Sequence, residues 1–234
     1  MKIGAIVQAR MSSKRFPGKV LHKVLGKSLL HYLLERLEHT SCANSIVIAT
    51  SKNHDDDLIE AFAREHNIQF YRGDLNNVAS RFIETLDKYG FENFVRVNAD
   101  SPLLDPALIE RAINKLKNSS VEIVTNTMKR TYPKGQSVEV FKSETFRRGY
   151  QRMKCDEDYE HVTQFFYRNS SDFKIFNFTA DENYSHIHLC VDTQKDMEMF
   201  NAIISKMSRP HWEYGITDIL RIYKTVLKTN NYDG

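Results

Sequence analysis

No stretch of this chain stays apolar for the roughly 20 residues that a membrane-spanning helix requires, which argues against such a helix. Cysteine is scarce. Cys42, Cys155 and Cys190 are odd in number and far apart, which argues against a disulfide framework and suits reduced thiols. A strong excess of one charge is also missing. The formal charge of +3, with basic residues spread along the chain, argues against a nucleic-acid-binding protein. Met1-Lys2 leads directly into a short apolar run without a signal-peptide pattern, so the expected location is cytoplasmic. Neither an internal repeat nor a low-complexity linker interrupts the 234 residues, so a single domain spanning 1–234 is expected. Familiar catalytic signatures are absent too: there is no GxGxxG, no CxxC pair and no Ser-His-Asp order.

What the chain does have is concentrated at its start. Ile3 to Val7 is apolar and stops abruptly, and Arg10, Lys14, Arg15 and Lys19 come next, interleaved with Ser12, Ser13 and Gly18. Four cations in ten residues just past a buried strand suit a polyanion at the carboxyl edge of a sheet, where open α/β folds hold their ligands. Turn amides and hydroxyls can wrap phosphate oxygens while Arg and Lys neutralise them. Gly26-Lys27-Ser28 has the closing residues of a Walker A loop, but the first glycine would fall on Leu21, which rules that loop out.

Strand-like and helix-like segments then alternate. Leu29, Leu30, Leu33, Leu34 and Leu37 recur at helical spacing behind Ser28 as N-cap. Ser45–Thr50, Ile68–Tyr71 and Phe94–Val97 read as strands, separated by helices near Asp55–His66 and Val78–Tyr89. Asp105 and Pro106 open the next helix as cap and first residue. The alternation predicts an α/β fold, Rossmann-like, with a mostly parallel sheet and helices on both faces. The second half is less regular: strands at Val121–Val124, Val138–Phe141 and Ile187–Val191, an antiparallel strand at Phe173–Phe178, and helices near Ser143–Gln151, Asp158–Arg168, Gln194–Lys206 and Ile216–Lys228. Residues 126–180 form a possible lid or dimer contact.

Asp100 and Asp192 each follow an apolar strand, one from each half of the chain. Brought together facing the cations, they can hold Mg²⁺ against phosphate oxygens; the competing reading for each is a helix N-cap. His186, His188, Cys190 and Asp192 share one strand face, but residues two apart lie nearly 7 Å apart along a strand, too far for one tetrahedral zinc. Gln136, Ser137 and Glu139 are polar enough to meet a substrate's hydroxyls or carboxylate, and Glu160-His161 is a second polar pair. A glycosyltransferase of related fold would need a DxD. The acidic runs Asp55-Asp56-Asp57 and Asp156-Glu157-Asp158 do not end predicted strands. A catalytically silent nucleotide-binding protein is the other alternative.

Ala9-Arg10-Met11-Ser12-Ser13-Lys14-Arg15-Phe16-Pro17-Gly18-Lys19 resembles the ARxxSxRxPGK signature of the cytidylyltransferase family, which includes the CMP-KDO and CMP-sialic acid synthetases. Met11 and the overall layout are most similar to the spore coat polysaccharide biosynthesis protein SpsF branch. Arg72-Gly73-Asp74, Asp100 to Pro106, Ser137 to Phe141, Glu160 to Thr163 and Val191-Asp192-Thr193 match in the same order, so the resemblance covers nearly the whole chain. It implies an enzyme that uses CTP and Mg²⁺ to make a CMP-activated sugar, such as a KDO- or nonulosonic-acid-like acid sugar, with release of pyrophosphate. By that resemblance Gln8, Ala9, Arg10, Ser12 and Lys19 hold the triphosphate. Thr50, Ser51, Arg72 and Asn98 lie near the nucleoside, Asp100 and Asp192 hold the metal, and Gln136, Glu139, Glu160 and His161 face the sugar. Arg10, Arg15, Lys19 and Asp100 are the implied catalytic groups, and a homodimer is the implied assembly. Two positions depart from the pattern: Tyr159 stands where the branch often has Arg, and Asn98-Ala99 where relatives have Gln-Gly or Thr-Gly.

Overall fold

A computed structural model describes residues 2–230. In chain order its strands are β1 (Ile3–Gln8), β2 (Lys23–Val24), β3 (Lys27–Ser28), β4 (Ile46–Ser51), β5 (Gln69–Gly73), β6 (Asn93–Asn98), β7 (Ile123–Thr125), β8 (Glu139–Lys142) and β9 (Ile175–Asn177). The helices are α1 (Leu29–Leu37), α2 (Asp57–Glu65), α3 (Val78–Tyr89), α4 (Pro106–Lys117), α5 (Ser143–Tyr150), α6 (Asp156–Glu160), α7 (Gln164–Arg168), α8 (Gln194–Ile204) and α9 (Ile216–Asn230). β2 and β3 form a small ribbon, and the other strands make one seven-stranded sheet of order β5-β4-β1-β6-β8-β7-β9. β5, β4, β1 and β6 run parallel. None of the described helices is long and apolar enough to cross a membrane.

The pleat explains why the central strands are apolar throughout. Alternate side chains go to opposite faces, and helices cover both. Ala5, Val7, Val95 and Val97 pack under Leu30, Leu33 and Leu37 of α1 and Ile109 and Ile113 of α4. Ile6, Val47, Phe94 and Phe141 meet Phe82, Phe146 and Phe166 on the other face. The chain winds outward from β1 to β5 and returns to β6 on β1's other side. The order therefore reverses between β1 and β6, and a crevice opens at their carboxyl ends.

Several elements follow the sequence reading closely. The Ser28 side chain accepts from His31 N, and Asp105 Oδ1 accepts from Ala107 N at 2.8 Å, so both act as caps. Three expectations are corrected. The strand in Phe173–Phe178 is β9, and it pairs parallel with β7; the antiparallel member of this region is β8, which pairs with both β6 and β7. The helix expected at Asp158–Arg168 is two short helices, α6 and α7, broken after Glu160. Ile187–Val191 is not a sheet strand. It makes one bridge, between Lys134 and His188, and takes its backbone partners from the loop before β8 and the turn after β6. Residues 126–180 supply β8 and β9 of the sheet.

The C-terminal segment is anchored by Arg36, which is fully buried. Its Nε donates to the Leu104 carbonyl at 2.7 Å, Nη2 to the Tyr214 carbonyl at 2.7 Å, and Nη1 to the His211 carbonyl. Burial pulls this guanidinium's pKa down to about 10, against the opposing pull of Asp105. Arg36→Met would keep the stem's packing but leave three buried carbonyls without a donor. The expected loss is about 3 kcal/mol or more of stability. In a chain of this size that lowers the melting temperature by roughly 6–12 °C in a thermal scan.

Candidate active site

The basic loop leaves β1 under tight backbone control. Ala9 N donates to the Ala49 carbonyl (3.2 Å), and Ala99 N to that of Gln8 (3.0 Å), so the loops after β1 and β6 start side by side. Met11 organises the rest of the basic loop. Its carbonyl accepts from Ser13 N at 2.8 Å and Gly18 N at 2.9 Å, and its own N–H donates to Asp56 Oδ1 at 2.7 Å. Gly18 has φ of 72°, in the left-handed region where a side chain is costly, and this lets the loop close. Lys19 then starts a 3₁₀ turn and points inward.

Asp192 reaches the same place from the far end of the chain. Leu189 N donates to the Lys134 carbonyl at 2.8 Å, and Val191 N to that of Asp100 at 2.8 Å, so the backbones carrying the two aspartates are bonded together. Gly135, with φ of 93°, lies so close beneath that a Cβ would sit 2.5 Å from Cys190 N. Ile187, Leu189 and Val191 pack into an apolar cluster with α8 and α9. Asp192 is not the cap of α8. Thr193 and Asp196 form a capping box there, and the Asp192 carboxylate is left to the crevice.

The result is a compact charge cluster. Lys19 Nζ lies 2.8 Å from Asp192 Oδ1 and 3.2 Å from Asp100 Oδ2, and Arg15 lies 2.9 Å from Asp192. Burial by itself would lower the Lys19 pKa, but Asp100 and Asp192 outweigh it and hold the ammonium above the ordinary lysine value. Burial would likewise raise Asp192, and Lys19 and Arg15 overcome it, keeping that carboxyl below its usual range. Burial, followed by Asp100 and Asp192, pushes the Cys190 thiol up to about 12, so it stays protonated beside them.

A cavity of about 680 Å³ lies against this cluster, walled by Gln8, Ala9, Arg10, Ser12 and Lys19 on one side and by Asn98, Asp100 and Asp192 on the other. Glu160 also reaches it, 3.7 Å from Arg10. A second cavity, of about 410 Å³, shares Asn98 and is lined by Arg96, Glu139, Tyr167, Arg130 and Ser137. Register places Arg96 directly opposite Glu139 across β6 and β8. Arg96 pairs with that carboxylate through Nη1 and donates from Nη2 to Gln8 Oε1 at 3.2 Å. Tyr167 also donates to Glu139. Burial would raise the Glu139 pKa, but Arg96 and Tyr167 hold it down as a carboxylate.

Five expected residues are not brought to these cavities as binding groups. Thr50 is buried within the sheet, its hydroxyl without a partner. Ser51 is buried and bonded to Asp56. Arg72 turns away to Asp57 (2.6 Å), Glu60 (2.8 Å) and the Ser51 carbonyl (2.9 Å). Gln136 is fully buried, accepting from Asp105 N at 2.9 Å and donating to the Leu103 carbonyl at 2.6 Å. His161 is exposed and lines neither cavity.

Others were not foreseen. A charge inside the apolar strand Phe94-Val95-Arg96-Val97 is the signal that marks Arg96. Asp56 and Tyr167 have no comparable signal. The DxD-like runs are structural: Asp56 holds the loop, and Asp158 pairs with Arg168.

Among the described residues no group of three or more His, Cys, Asp or Glu converges as a metal cage. Two convergent carboxylates still fit Mg²⁺, which is commonly held by one or two carboxylates together with substrate phosphates. Asp56→Ala would strip acceptors from Met11 N and Ser51. The expected cost is about 2 kcal/mol in a urea titration, with faster tryptic cleavage at Lys14 and Arg15 as the loop loosens.

Comparison with known proteins bears on this arrangement. The profile described as cytidylyltransferase matches residues 4–217. An uncharacterized protein of Methanocaldococcus jannaschii is 31% identical over 202 residues, covering 86% of this chain and 82% of that one. Spore coat polysaccharide biosynthesis protein SpsF of Bacillus subtilis is 27% identical over 210 residues, covering 86% and 85%. The 3-deoxy-manno-octulosonate cytidylyltransferase of Syntrophotalea carbinolica is 34% identical over 116 residues, half of this chain and 46% of that protein. Among solved structures, a cytidylyltransferase from Leptospira borgpetersenii superposes with a TM-score of 0.94 at 26% identity, covering 100% of this chain and 98% of its own.

Proposed function

This chain belongs to the cytidylyltransferase family, and from that premise we propose that it transfers CMP from CTP to a hydroxyl of an acid sugar, releasing pyrophosphate. The observation that supports this reading most is the meeting of Asp100, Asp192 and Lys19 at the mouth of the loop bearing Arg10 and Arg15. The larger cavity takes the nucleotide, its triphosphate along Arg10, Ser12, Arg15 and Lys19 and its nucleoside toward Asn98 and Asn76. The smaller cavity takes the acceptor, and Asn98 stands between the two.

In the reaction the acceptor oxygen bonds to the α-phosphorus, the bond from that phosphorus to the bridging oxygen breaks, and the hydroxyl proton goes to solvent. Positioning and charge neutralisation supply most of the rate in transfers of this type. Arg10, Arg15 and Lys19 stabilise the charge that collects on the departing pyrophosphate. Asp100 and Asp192 would hold Mg²⁺, which when bound supplies Lewis-acid polarisation of a phosphate oxygen. Glu139, kept ionised by Arg96 and braced by Tyr167, orients an acceptor hydroxyl. Arg130 donates to the neutral Ser137 hydroxyl at 3.1 Å, and so has charge to offer an acceptor's carboxylate.

Incubation with Mg²⁺ and each of CTP, UTP, GTP and ATP, over a panel of eight- and nine-carbon ulosonic acids, tests the proposal. Pyrophosphate release with CTP and a CMP adduct by mass are expected. Release with another nucleotide alone, or transfer only to neutral sugars, would overturn it. Asp100→Asn should lower kcat at least about 10²-fold while the circular dichroism spectrum stays that of the folded wild type.

A further inference from the structure

Lys19 is bonded to anions of the protein itself. Its side chain is only 8% exposed, and its ammonium touches both Asp192 (2.8 Å) and Asp100 (3.2 Å). The proposed function gives those two carboxylates to a divalent ion and that ammonium to a triphosphate. A hard cation binds carboxylate oxygens at about 2.1 Å. An ammonium seated between the same oxygens occupies the space that such a cation needs.

We infer that Lys19 is an internal counter-ion, holding the cation position between Asp100 and Asp192 until a triphosphate draws it away, so that divalent ion and nucleotide bind as a coupled pair. The inference rests on the proposed function, because it needs the aspartates to be the metal ligands.

The charges make the exchange concerted. If an ion enters alone, it must expel a buried ammonium that then has no anion to meet. If a triphosphate binds alone, it strips the cation from two neighbouring carboxylates, and unpaired charges in a half-buried site are costly. When both arrive, Lys19 passes from carboxylate to phosphate while the carboxylates pass from ammonium to metal, and every charge stays paired. Linkage requires the coupling to be reciprocal: nucleotide strengthens metal binding by the factor by which metal strengthens nucleotide binding. The backbone need not move. Lys19 N donates to the Phe16 carbonyl at 3.3 Å, and His22 N to the Lys19 carbonyl at 3.0 Å, so the swing belongs to the side chain. Arg15 also touches Asp192, but its side chain is 66% exposed, and an exposed pair of this kind is weakened by salt and contributes little.

Mn²⁺ binding, followed by the electron paramagnetic resonance of the free ion without nucleotide, tests the exchange. Lys19→Met is expected to bind Mn²⁺ about tenfold tighter than wild type, while Lys19→Arg, which keeps a cation, stays near wild type. Added CTP should then strengthen Mn²⁺ binding much more in wild type than in Lys19→Met. Lys19→Gln serves if the methionine variant does not fold, as judged by circular dichroism. Equal Mn²⁺ affinity in wild type and Lys19→Met overturns the inference, and if Asp100→Asn/Asp192→Asn has meanwhile lost Mn²⁺, the metal assignment stands. Undiminished Mn²⁺ binding by that double variant overturns the metal assignment and the inference with it.

Discussion

One ammonium between two carboxylates sets the constraint that the surrounding structure serves. Lys19 is nearly buried, so its charge is tolerated only because Asp100 and Asp192 meet it. That meeting needs three separate pieces of chain in register: the loop closed by Gly18, the turn after β6, and the segment laid over Gly135. Each piece is secured by its own backbone bonds, so the cluster is assembled before any ligand is bound. A backbone frame held in this way confines the rearrangement that ligand binding requires to side chains.

Sheet pairing links this cluster to its neighbour. The antiparallel register of β6 and β8 sets Arg96 opposite Glu139, and the parallel register of β1 and β6 sets Gln8 opposite Asn98. Arg96 joins the two pairs by donating to both Gln8 and Glu139. The two cavities therefore share a rigid wall made of strand ends. The register of β1, β6 and β8 fixes that shared wall, while loops supply the outer walls of both cavities.

Much of this was legible in the residue order. The abrupt end of an apolar run before four cations located the loop, and two aspartates at the ends of apolar runs located its partners. The caps Ser28 and Asp105 followed from short-range chemistry that needs no tertiary information. The failures have a common cause. Thr50, Ser51 and Arg72 do lie at or near strand ends on the correct edge, but side-chain direction depends on the pleat and on competing partners. Asp56 holds Ser51, and Asp57 and Glu60 hold Arg72, across distances in sequence that periodicity does not reveal. Gln136 is taken by backbone groups of the 103–105 turn, and the break after Glu160 leaves His161 in solvent. The direction of β9 depends on which neighbour it joins, and alternation along a strand carries no information about that.

The bond between Val191 and Asp100 also bears on the order in which the protein comes into being. Synthesis has produced every strand of the sheet once Asn177 has emerged from the ribosome, and the cation-rich loop long before that. The second carboxylate arrives later, and the apolar cluster that seats it draws on α8 and α9, which come later still. A nascent chain can thus complete its sheet while Lys19 faces a single aspartate, and the second carboxylate of the cluster is supplied only once that scaffold exists.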